Sequence, residues 1–178
     1  STKSDVIEAA QQSLEGKLKC FVPAHPIAGK EVAGIEHAEA DLFIGRQVVL
    51  TPIKATLRSN VQRAAQVWTS VGAHVSQMTH QAHDSAFAAV SHLPHLLAFA
   101  FMNGIASQPE GDTFLELAGP GFRDFTRIAA GEPTLWRDVL LANREQVLRQ
   151  SQFFRQALDE LETMMRTDNV TDLEQAIT

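Results

Sequence analysis

The sequence contains a single cysteine, Cys20, so no disulfide can close within the chain and a reducing, cytoplasmic setting is the expectation. It contains no basic run. Fifteen Lys and Arg stand against 21 Asp and Glu, a formal net charge of -6, which argues against a nucleic-acid partner. No stretch reads as the roughly 18 consecutive apolar residues of a membrane span, so no membrane partner is expected. The opening STKSDVIEAA lacks both an initiator Met and a signal-peptide shape, and reads as a piece of something longer. Three signatures are absent: G-x-G-x-x-G, G-x-x-x-x-G-K-[ST] and G-x-S-x-G, the marks of dinucleotide turns, P-loops and nucleophile elbows. What is present is ordinary for a globular protein: 44% hydrophobic and 20% charged residues, in a chain of 178 that makes one domain or two small ones.

One stretch organises the rest. Residues 79–105 (THQAHDSAFAAVSHLPHLLAFAFMNGI) carry apolar side chains at helical spacing through Ala82, Ala86, Ala89, Val90, Leu93, Leu97 and Phe101. Leu96 and Phe99 add a second apolar face. Such a helix is buried in a core or against a partner. His92 and His95, three apart, sit on one face beside Ser91. Pro94 removes a backbone donor and is expected to kink the helix or restart it there.

Before that stretch the chain alternates. A helix is expected over Ser1 to Leu14, ended by Gly16. A strand is expected over Lys19 to Ala24, then a long connection to Gly45 with a small helix near Gly34 to Ala40. A second strand at Arg46 to Thr51, a helix at Leu57 to Val71 capped by Gly72, and a third strand at Ala73 to Met78 follow. A strand–helix–strand unit implies a parallel or mixed sheet. After Met78 no strand is visible. A loop at Ser107 to Thr113, a short segment at Phe122 to Ala130 and one long helix from Thr134 to Arg166 complete the chain, with a polar tail that frays. The fold class is therefore α/β plus all-α, divided into residues 1–78 and 79–178.

Several constellations carry chemistry. His25 stands at the end of the first expected strand, where open α/β sheets place ligands, and the loop AHPIAGKEVAG follows with Pro26, Gly29 and Gly34. H-x-x-H pairs occur at His80/His83 and His92/His95. Such pairs can share zinc, but no thiolate and no third ligand stands at motif spacing, so no metal is expected. His80 and His83 read as capping or core residues. In PGFRDFTRIA, Arg123, Asp124 and Arg127 lie among aromatics, suited either to carboxylate recognition or to an internal ion pair.

Three separated stretches, HPIAGKEVAG (25–34), SHLPHLLAFAF (91–101) and GPGFRDFTRIAAGEPTLWRDVLLAN (119–143), resemble the prephenate and arogenate dehydrogenases of tyrosine biosynthesis. The opening STK is similar to the end of that family's D-x-G-S-x-K motif. The resemblance implies the C-terminal part of a Rossmann-like nucleotide-binding domain followed by a helical dimerisation domain. The family's glycine-rich turn would lie before Ser1. It implies an NAD- or NADP-dependent oxidative decarboxylation of prephenate or arogenate, with a hydride leaving ring C4. It implies His25 as the catalytic histidine, with Ser1 hydrogen-bonded to the same substrate hydroxyl and bordering the cofactor. Arg127 and His95 are implied as substrate-binding residues. Glu31 and Asp124 would be acidic residues near the pocket, Lys30 a tuner of substrate choice, and Trp136 a pocket wall. A homodimer through helix 79–105 and the C-terminal helices is implied as well. The alternative is a non-catalytic helical dimerisation fragment of such an enzyme.

Overall fold

The computed structural model describes residues 1–29 and 34–178. Helix α1 (Ser4–Ser13) begins without a cap from its own N-cap residue, Lys3. A 3-10 turn, Glu15–Cys20, follows it and takes the first two residues of the span expected as a strand. Strand β1 is instead Ala24–Pro26, so His25 lies inside a strand and not beyond its end. β1 pairs antiparallel with β2 (Gln47–Leu50), and β2 pairs parallel with β3 (His74–Gln77), a mixed sheet in the order β1-β2-β3. Pro26 is tolerated because β1 is an edge strand.

Helix α2 (Arg58–Ser70) connects β2 to β3 and covers one face of the sheet. Val48 and Leu50, both fully buried, point into that layer with Val61 and Ala73, flanked by Phe43 and Trp68. Alternation sends Val49 to the other face. His25 is the register partner of Val49, so it points to that face too, away from α2. Gly72 closes α2 at φ +84°, a left-handed conformation that favours glycine.

The long apolar stretch is one continuous helix over His80–Ala106, 27 residues. It comprises α3 (His80–Phe87), a π turn (Ala88–His92) and α4 (Leu93–Ala106). Thr79 caps its start by accepting from the Ala82 N–H at 3.2 Å. Of the kink or restart expected at Pro94, the restart is what forms. Pro94 falls within the first two positions of α4, where no intrahelical N–H is needed, and the preceding turn widens to π geometry. By length and composition the helix is apolar enough to cross a membrane, which corrects the expectation that no stretch is. Only 17% of its most apolar window is buried within the chain.

Beyond it, α5 (Gly111–Glu116) forms within the expected loop, and α6 (Pro120–Thr126) runs into a 3-10 turn at Arg127–Ala130. The expected last long helix is two: α7 (Pro133–Ala142) and α8 (Arg144–Arg166). They part at Asn143, whose φ of -113° and ψ of 27° leave the helical region. The tail forms a short helix, α9 (Val170–Ala176), capped by the Asn169 side chain. α8 packs across the π turn, so the helical half closes over the middle of the apolar helix.

Leu50 lies fully buried at the centre of the cluster between β2 and α2. Leu50→Ala should therefore lower unfolding stability by about 2–5 kcal/mol, read by chemical denaturation, with a reduced midpoint at unchanged slope.

Candidate functional site

His25 leaves the sheet on the face away from α2 and meets α3. Its Nδ1 lies 2.8 Å from Nε2 of His83, and its ring lies 4.7 Å from that of Phe87. His83 is fully buried and stacks on Phe87 at 4.4 Å. Nδ1 of His83 lies 2.8 Å from Oδ1 of Asp84. The same carboxylate accepts the Lys3 and Ser4 backbone N–H groups, each at 2.9 Å, and the Ser4 hydroxyl at 2.5 Å. Asp84 thus supplies from 80 residues away the cap that α1 lacks locally. His83, expected as a capping or core residue, is a core residue with two polar partners.

A cavity of about 510 Å³ opens beside this cluster. Its wall includes Ser1, His25, the Pro26–Gly29 segment, Leu42, Arg46, Phe87, Ser91, His95 and Trp136. His95 donates from Nδ1 to the Ser91 carbonyl at 2.9 Å, which leaves its Nε2 as an acceptor. Its ring stacks on the Trp136 indole with centroids 3.5 Å apart. Gly131 lies under that indole, where a Cβ would collide with Nε1. His92 turns elsewhere: it is buried, and its Nδ1 lies 3.1 Å from Nδ2 of Asn143, which also donates to the Asp84 carbonyl at 2.7 Å. The two H-x-x-H histidines therefore have different partners.

Of the residues picked out from sequence, Ser1, His25, His95 and Trp136 share this cavity. Arg127 and Asp124 do not line it in the single chain; both are exposed at the end of α6 and the turn after it, which packs on α4. Lys30 and Glu31 lie outside the described residues. Sequence reasoning passed over Asp84, Asn143 and Arg46. The HD pair at 83–84 inside an apolar helix was a usable signal, since a carboxylate there needs partners. Arg46 and Asn143 had none, because each looks like a routine strand-edge or helix residue.

Burial holds the His25 imidazolium down, to a pKa of about 3, with the cations at Ser1 and Lys3 and the nearby His83 and His92 adding to the effect. Burial likewise lowers His92 to about 4; the Ser1 amino group, His83 and His95 add to this, and Asp84 opposes it. Burial also lowers His95, against its bond to Ser91. Burial alone would raise Asp84, but the bonds from His83, Ser4 and Lys3 outweigh it and keep the carboxylate ionised. All these signs act together. The unfolded chain binds more protons than the native one below the ordinary histidine range, near pH 6.5, so stability falls with acidification from there toward pH 4. Asp84 adds its loss only below the ordinary carboxylate range. Thermal unfolding followed from pH 7 to pH 4 should show a steady decline. His25→Asn and His92→Asn should each flatten it.

Residues 1–77 match the model of the prephenate dehydrogenase nucleotide-binding domain, and residues 79–178 that of the prephenate dehydrogenase dimerization domain. The chain is 30% identical over 174 residues to a prephenate dehydrogenase of Bacillus subtilis (strain 168), covering 97% of this chain and 47% of the relative. It is 32% identical over 171 residues to a cyclohexadienyl dehydrogenase of Zymomonas mobilis, covering 95% of this chain and 58% of that protein. The crystal structure of prephenate dehydrogenase from A. aeolicus, in complex with hydroxyphenyl propionate and NAD+, superposes with a TM-score of 0.91 at 37% identity, over 99% of this chain and 61% of that one. The chain thus spans about half the length of the curated relatives it matches. Its two halves follow one another as the two family models do, and on that ground it belongs to the prephenate dehydrogenase family.

Proposed function

We propose that this chain supplies the substrate pocket, the proton acceptor and the dimer contact of an NAD(P)-dependent dehydrogenase acting on prephenate or arogenate. The observation that carries the reading is the His25 imidazole set in the cavity wall with Ser1, His95 and Trp136. A cyclohexadiene ring with a hydroxyl at C4 needs an apolar wall, a hydrogen-bonding partner for that hydroxyl and a base. Trp136 and Phe87 offer the wall, Ser1 the partner and His25 the base.

The residues present fit the ring end of a nicotinamide cofactor, since Ser1 and the Pro26–Gly29 backbone border the cavity. They do not fit its pyrophosphate, because the sequence has no glycine-rich turn to hold one. The bound nicotinamide supplies an acceptor for the C4 hydride. His25 takes the hydroxyl proton as the C4–O bond becomes a carbonyl. The ring carboxylate then leaves as CO2, its bonding pair completes the aromatic ring, and the oxygen regains a proton as a phenol. For prephenate the product is 4-hydroxyphenylpyruvate, for arogenate tyrosine. Arg127 is assigned to a substrate carboxylate, with Arg46 as a second cation already at the cavity wall. Asp124, Glu31 and Lys30 are assigned to the pocket's rim.

Dimerisation is supported by what one chain leaves uncovered. Val147 in α8 is buried, but Phe154 and Leu158 on the same stripe are 38% and 43% exposed, as is Phe101 on α4 at 43%. An apolar seam that continues past the edge of its own fold needs a second surface, and an isologous pair of chains supplies one.

In an enzyme with a complete nucleotide-binding domain, His25→Asn should cut kcat by about 10²–10⁴-fold with little change in KM, the usual worth of a general base. Arg127→Ala should raise KM by about 10- to 100-fold, the worth of a charged hydrogen bond of ~1.5–3 kcal/mol. Wild-type kinetics for both would overturn the assignment. The second reading, a pairing module without catalysis of its own, draws on the partly exposed apolar stripe of α8. Calorimetric titration of the 178-residue chain with NAD separates the two, because tight binding would exclude it.

A further inference from the structure

We propose that His83 and Asp84 are positioning residues that fix which nitrogen of His25 carries the proton; this rests on the reading of His25 as the base. The deduction starts at the end of the chain of contacts that has no choice. Asp84 accepts two backbone N–H groups and the Ser4 hydroxyl, so it is an ionised carboxylate that can only accept. His83 Nδ1, 2.8 Å away, must therefore carry a hydrogen and donate it. A neutral His83 then has a bare Nε2. His25 Nδ1, 2.8 Å from that nitrogen, must be the donor in its turn. The Nε2 of His25 is left bare and able to accept the proton of a hydroxyl in the cavity. A free imidazole would divide itself between two tautomers, one of which cannot act as a base at Nε2. Here one acceptor-only group, two residues removed, selects the competent form.

The arrangement also places the new charge. When His25 becomes an imidazolium, its Nδ1–H already points at His83, and His83 already points at the carboxylate. Nothing has to rotate. Phe87 packs against both rings and holds their planes, at 4.7 Å from His25 and 4.4 Å from His83. The carboxylate is kept in place by the first turn of α1, so the tautomer at the active base depends on the N-terminal segment.

The test is nitrogen NMR on the 178-residue chain, labelled with 15N histidine, at pH 7. The expected spectrum has His25 and His83 each protonated at Nδ1 and bare at Nε2. A scalar coupling across the hydrogen bond should join His25 Nδ1 to His83 Nε2. In His83→Phe, which keeps a ring against Phe87, the coupling should vanish and His25 should mix both tautomers. A doubly protonated His83, a His25 protonated at Nε2, or a His25 tautomer unchanged in His83→Phe would each overturn the proposal. The wild-type spectrum decides even if the variant does not fold. Should the spectrum hold while His25→Asn retains full kcat, the reading of His25 as the base falls, and the relay stands as structure alone.

Discussion

The carboxylate of Asp84 is the group on which the two halves of this chain depend. It sits on the apolar helix and binds the backbone of Lys3 and Ser4 at the start of α1. A buried carboxylate without partners costs several kcal/mol, so the arrangement exists only when α1, α3 and the His83 side chain are all in place. That makes it a checkpoint on docking. The N-terminal α/β layer and the helical half cannot separate without stranding a charge. Its own carbonyl is used as well, by Asn143 from between α7 and α8. Three chain segments therefore meet at one residue.

The π turn keeps this meeting point in line. An α-helix advances about 100° per residue, so positions four apart drift by about 40° per step. Widening a turn by one hydrogen-bonding position removes most of that drift. Asp84, Ala88 and His92, four apart in succession, are 5%, 0% and 1% exposed, a straight buried row. The row lets one Asn143 amide reach both the Asp84 carbonyl and the His92 ring, eight residues apart. Asn143 makes both contacts from the one position between α7 and α8 whose backbone leaves the helical region.

Much of this was legible in the sequence, for stated reasons. Strands β2 and β3, helix α2 and the Gly72 cap follow from alternation, helical spacing and a glycine where φ must be positive. The pocket residues His25, His95 and Trp136 were named from motifs, and they do share one cavity. What escaped is of a single kind. The first strand shifted to Ala24–Pro26 and the last helix split at Asn143. Strand β1 pairs with β2, and Asn143 bonds Asp84 and His92, all far away in sequence, and local propensity holds no record of such partners. His83 read as a capping or core residue and Asp84 was passed over; the fold adds that His25 and the α1 backbone arrive to meet them.

The apolar helix carries two tasks that pull on it differently. Toward its start it must hold polar groups in fixed orientation, which requires close packing and a satisfied partner for every buried donor. Toward its end it carries Phe101, which packs on Phe122 and Phe125 of α6 and is still 43% exposed, so one chain covers it only in part. The π turn lies at the change between the two, with α8 packed across it. α8 shows the same division: Val147 is buried against the core, and Phe154 and Leu158 are not. Both helices thus pack most closely near the π turn and leave apolar side chains partly exposed further along. Ser91, within that turn, and His95, just after it, line the cavity, so the same closely packed segment of the helix shapes the pocket wall.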